Sequence, residues 1–95
     1  MANPVAVFIV ECPGAADLYA DRSEGYALRA VLRQANIGAE LRIVISVEQF
    51  LRALAEYQAL CIAYLPVQTL PVLHISAHGN GDGIAVGPAV QVLSW

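Results

Sequence analysis

The sequence predicts an α/β fold, a three-layer sandwich around a mainly parallel sheet built in the order β-α-β-α-β and followed by a terminal β-hairpin. Three observations predict it. Apolar runs of the kind buried on both faces of a parallel sheet alternate with stretches of helical periodicity. Their lengths suit right-handed crossovers, which place successive strands parallel with helices over the sheet faces. The 95 residues are 58% hydrophobic and 14% charged, enough for one domain (residues 1–95) with one core and too apolar for disorder.

The first strand is Val5-Ala6-Val7-Phe8-Ile9-Val10, ended by Pro13-Gly14. Asp21-Arg22-Ser23-Glu24 reads as a capping box, with an acceptor at Asp21 and a glutamate three residues later. The helix it opens turns Leu28, Val31, Leu32 and Ala35 inward and Arg29 and Arg33 outward, and Gly38 stops it as a left-handed cap. Leu41–Ile45 is the second strand. Ser46 with Gln49 forms another capping box, starting a helix with Val47, Phe50, Leu51 and Leu54 inward and a Glu48–Arg52 pair on its surface. That stripe continues through Tyr57 and Cys61, placing Cys61 in the core, until Pro66 ends the helix. Pro71–His78 is the third strand, and Ile84–Val86 with Ala89–Leu93, joined through Gly87-Pro88, is the hairpin.

Composition narrows the function. The net charge is −3, lysine is absent, and the five arginines are scattered from Arg22 to Arg52, so the basic patch expected of a nucleic-acid binder is missing. The longest apolar run, Ala59–Val67, contains Pro66 and falls well short of the ~20 residues of a membrane span. Met1-Ala2-Asn3-Pro4 lacks the basic start of a secretory signal, and the expected compartment is the cytoplasm. Cys12 and Cys61 form neither a disulfide framework nor a zinc-type CxxC.

In a parallel sheet the chemistry collects at the carboxyl ends of the strands. Here those ends carry Glu11, Cys12, Ser46 and the His78-Gly79 turn. Val72, His74, Ser76 and His78 would share one face of the third strand, since side chains alternate with period two. A zinc site at His74-x-x-x-His78 would need a helix and a third ligand, and neither is evident, so no metal is expected. Both histidines could simply be hydrogen-bonded sheet residues. His78 differs by lying at the strand end before a glycine, where a neutral imidazole is suited to acid–base chemistry.

Val72-Leu73-His74-Ile75-Ser76-Ala77-His78-Gly79 resembles the histidine block of the caspase-like cysteine peptidases, a group that includes caspases, metacaspases, separase and CHAT domains. Asn80 to Gly87 resembles the glycine and acidic turn and hairpin that follow that histidine. Asp21-Arg22-Ser23-Glu24-Gly25 resembles the loop in which caspases carry an arginine for an acidic substrate side chain. The resemblance implies a 2-1-3 strand order and an incomplete caspase-like fold. It also implies a peptide substrate, no cofactor, His78 as general acid–base, the Gly79 backbone N–H as an oxyanion donor, and Arg22 as a substrate contact.

The resemblance spans nearly the whole chain but only the first half of the family's catalytic domain. The family's nucleophile is a cysteine at the end of a fourth strand, beyond a further helix, and neither Cys12 nor Cys61 matches it. The chain is therefore expected to be an N-terminal portion of such a peptidase, inactive without its C-terminal half. In a 2-1-3 order Cys12 would lie on the strand end adjacent to His78, which makes it the one alternative nucleophile within the chain. Glu11 could orient a histidine. A different class of reading is a non-catalytic α/β module that self-associates, as a homodimer, through the exposed sheet edge. A third takes Gly79-Asn80-Gly81-Asp82-Gly83 as an anion cradle, although Asp82 would repel an anion and no basic residue follows.

Overall fold

A computed structural model of the chain describes residues 5–14, 23–80, 83–86 and 91–94. The elements are β1 (Val5–Glu11), α1 (Glu24–Gln34), β2 (Gly38–Ile43), α2 (Val47–Tyr64), β3 (Leu70–Ser76), β4 (His78–Asn80), β5 (Gly83–Val86) and β6 (Gln91–Ser94). β1 lies at the centre of a parallel sheet of order β2-β1-β3, and β4, β5 and β6 form a separate antiparallel sheet. The expected β-α-β-α-β order and mainly parallel sheet are both present.

Helix placement follows from the crossovers. α1 packs on β1 and β2 from one face, and α2 packs on β1 and β3 from the other. β1 is thus covered on both sides, and Phe8, Ile9, Val10 and Glu11 are all buried. The main core lies on the α2 face, where Phe8, Val10, Cys12, Val44, Phe50, Ala53 and Val86 meet. The Phe8 and Tyr57 rings sit 6.0 Å apart within it. Val86 carries the antiparallel unit onto this core. The opposite face is thinner, with Ile9, Ala39 and Leu41 buried on it and the start of α1 close enough that a Cβ on Gly25 would stand 2.6 Å from Leu41 Cδ1.

Several local expectations shift. α1 is capped by Ser23, not Asp21: the Ser23 side chain accepts from the Tyr26 N–H at 3.2 Å. The left-handed residue at the far end is Asn36 (φ 61°), not Gly38. The Ile37 N–H donates to the Leu32 carbonyl and the Asn36 N–H to the Arg33 carbonyl, the paired bonds of a Schellman motif. Gly38 is released to begin β2 opposite Ala6, three residues earlier than expected. Val31 (62% exposed) and Ala35 face solvent. Arg29 folds over the Tyr26 ring, and Arg33 donates to the Ala39 carbonyl.

α2 keeps its expected cap, with Ser46 Oγ accepting from the Gln49 N–H and Gln49 Oε1 accepting from the Ile45 N–H. The Glu48–Arg52 pair is present at 3.8 Å on the surface. Its inner stripe is largely the expected one, with Phe50 buried and Val47, Leu54 and Tyr57 packed against the core; Ala53 is buried too, whereas Leu51 is 52% exposed. Cys61 is half-buried rather than a core residue.

β3 stops at Ser76, and the chain reaches β4 through Ala77. The ladder with β1 reaches as far as the bond from the Cys12 N–H to the Ser76 carbonyl at 2.7 Å. His78 opens the antiparallel sheet instead of ending β3. There it pairs with Ala85, while Gly79 pairs with Ile84. The hairpin is the outer part of a three-stranded unit, and its second strand runs from Gln91 to Ser94. The Gly81-Asp82 turn and the Gly87-Pro88 connection lie outside the described residues.

Candidate functional site

The carboxyl ends of β1 and β3 meet the start of α1 and the entry to β4. Glu11 is the organising side chain there. It is 5% exposed, and its carboxylate accepts from Ser23 Oγ at 3.0 Å and from the Gly25 N–H at 2.5 Å. A carboxylate beside the first turn satisfies amides that the helix cannot pair and sits at the positive end of its dipole. Gly25 allows this approach, since a Cβ would stand 2.9 Å from Glu11 Oε1.

Between Ser23 and Gly25, Glu24 reaches across to β3. Its Oε2 accepts from Ser76 Oγ at 3.1 Å, and its Oε1 lies 3.9 Å from His74 Nε2. Ser76, Glu24 and His74 do not make a hydrolytic triad. Serine and histidine both address the carboxylate, so no base is positioned to take the serine proton.

Cys12 faces the other way. Its neighbours are the apolar side chains of the α2-side core, including Val44, Phe50 and Val86. Burial, with the Glu11 charge adding to it, pushes the thiol up to about 11 from its ordinary 9.0. At neutral pH this is a protonated, enclosed thiol, the opposite of an activated nucleophile. Its strand end does adjoin that of β3, as the bond to Ser76 requires. The main chain of His78 and Gly79 follows two residues beyond Ser76. Arg22 lies outside the described residues.

On sequence Glu11 could orient a histidine, whereas its partners in the structure are Ser23 and Gly25, and it is Glu24 that approaches His74. The one available signal was an acidic residue at a strand end facing a Ser-Glu-Gly helix start. An apolar recess lined by Phe8, Gly38, Tyr57, Leu60, Tyr64 and Pro71 lies at the amino-terminal end of the sheet, far from these groups. Among the described residues, no group of three His, Cys, Asp or Glu side chains could hold a metal ion, and no helix is long and apolar enough to cross a membrane. Comparisons of the chain with protein-family models, curated proteins and solved structures found no match.

Proposed function

We propose that this chain is the histidine-bearing portion of a cytoplasmic caspase-like cysteine peptidase, inactive until a nucleophilic cysteine is supplied by a C-terminal half. The observation that carries the reading is one of connectivity. A β2-β1-β3 parallel sheet hands the chain, two residues after its third strand, into a small antiparallel unit whose first residues are His78-Gly79. In this reading His78 takes the proton from the incoming thiol and returns it to the leaving amine. The Gly79 N–H helps hold the developing oxyanion, and Arg22 contacts an acidic peptide side chain. The cysteine would arrive on a strand added beside β3, whose outer edge is unpaired among the described residues. No cofactor is needed for this chemistry.

The reading frame downstream of Trp95 tests it. A continuation encoding a helix and then a hydrophobic strand ending in Ala-Cys supports the proposal. A continuation without a strand-borne cysteine overturns it.

One observation favours a second reading, a non-catalytic module that self-associates. The open β3 edge carries Leu70, Val72 and Ile75 exposed, a combination that monomers normally guard with charge or cover. Sedimentation at micromolar concentration separates a dimer from a 10.1 kDa monomer.

A further inference from the structure

We infer that two copies of the chain pair antiparallel along β3 about a two-fold axis at His74; this rests on the self-association reading and specifies its register. The bond from the Cys12 N–H to the Ser76 carbonyl sets the alternation of the strand. N–H and C=O of one strand residue point to the same side, so Leu70, Val72, His74 and Ser76 turn theirs toward β1. Pro71, Leu73 and Ile75 turn theirs outward. Pro71 has no N–H to offer, and its carbonyl already accepts from Tyr57 Oη at 3.1 Å. The amino-terminal part of the edge is thereby closed, and among the described residues the open main-chain groups of β3 are those of Leu73 and Ile75.

These two residues are placed symmetrically about His74, which makes the edge complementary to itself. With His74 opposite its twin, Leu73 meets the partner's Ile75 and Ile75 meets the partner's Leu73. Each such pair exchanges both of its hydrogen bonds. A register centred on Leu73 would set Ile75 against the blocked Pro71. One centred on Ile75 would need Ala77, which lies outside the strand. The central register also covers Ile75, 42% exposed, with the partner's Leu73. His74 is the single ionisable side chain of β3, so no row of charge opposes the approach. Any other strand would use the same four groups. The symmetry about His74 favours a second copy, because each protomer then satisfies the other's groups completely.

Directly opposed residues of this type have Cα atoms about 4.5 Å apart, within the ~4.4–6.8 Å that a disulfide spans. The test is oxidative cross-linking of the whole chain carrying His74→Cys, Val72→Cys or Ser76→Cys, with the parent chain as control and sedimentation run in parallel. The expected result is a dimer in which His74→Cys links to itself. Val72→Cys and Ser76→Cys each fail alone but link when mixed, because Val72 faces the partner's Ser76. Hydrogen exchange on the unmodified chain gives an independent reading, with the Leu73 and Ile75 amides slowing as concentration rises. A dimer in which His74→Cys does not link, or in which these amides are unaffected by concentration, overturns the register and leaves self-association standing. A monomer at every concentration removes both.

Discussion

Gly25 and Glu11 form a tight junction between α1 and β1. A methyl group on Gly25 would meet Leu41 Cδ1 at 2.6 Å and Glu11 Oε1 at 2.9 Å, so Gly25→Ala forces a buried leucine and a bonded carboxylate to move together. The expected cost is about 1–3 kcal/mol, read as a lower urea midpoint with an unchanged slope. An unchanged midpoint would mean that α1 can lift off the sheet at no cost. Cys12 supplies a prediction of its own. Its folded-state pKa of about 11 lies above the ordinary value, so the stability it contributes is full below pH 9 and is lost as the pH rises toward 11. Burial and its Cys61 neighbour also hold the Tyr57 phenol above its usual range, which acts in the same direction. Unfolding midpoints measured from pH 8 to 11 should fall, and fall less steeply in Cys12→Ala. Parallel curves would contradict the assignment. The Ser46 cap was legible because its whole signal spans four residues. The Glu11 contact was not, since its partners lie 12 and 14 residues away and meet it only after the crossover has formed.

At the scale of elements, the alternation of strands and helices was legible because the two periodicities differ and the strand runs are uninterrupted. Most of the inner stripe of α2 was legible too, but not its borders. Its sequence, VEQFLRALAEYQALCIAY, has apolar residues on almost every side, so periodicity alone does not distinguish a stripe through Leu51 from one through Ala53. The observed packing makes a paired prediction. Phe50→Ala should cost about 3–5 kcal/mol as a core truncation, whereas Leu51→Gln should stay within about 0.5 kcal/mol as a surface change. Equal effects in denaturant unfolding would show that Leu51 packs against the core as well. The end of β3 was hidden for a related reason. The β-prone run continues through Ala77 to His78, and the residues that draw His78 and Gly79 into a second sheet, Ala85 and Ile84, come only later in the chain.

For the molecule as a whole, the sheet has a guarded side and an open one. β2 carries Glu40 and Arg42, with Arg42 held by Glu56 at 2.9 Å and stacked over Phe8. Among the described residues, β3 has only Pro71 and the Tyr57 hydroxyl to close part of its edge. On the outer half of the α1-side face, Leu70 and Val72 are 61% and 37% exposed. A peptidase half that receives a cysteine-bearing strand and a module that pairs with itself both make use of this asymmetry. The measurement that bears most directly on the proposed function is hydrolysis of pooled fluorogenic peptides of acidic and basic specificity. It should be run on the 95-residue chain and on its natural continuation, each beside its His78→Ala variant. The account predicts no turnover from the 95-residue chain, and turnover from the continuation that His78→Ala abolishes. Turnover by the 95-residue chain that disappears in His78→Ala, or turnover by the continuation that survives it, would contradict the account.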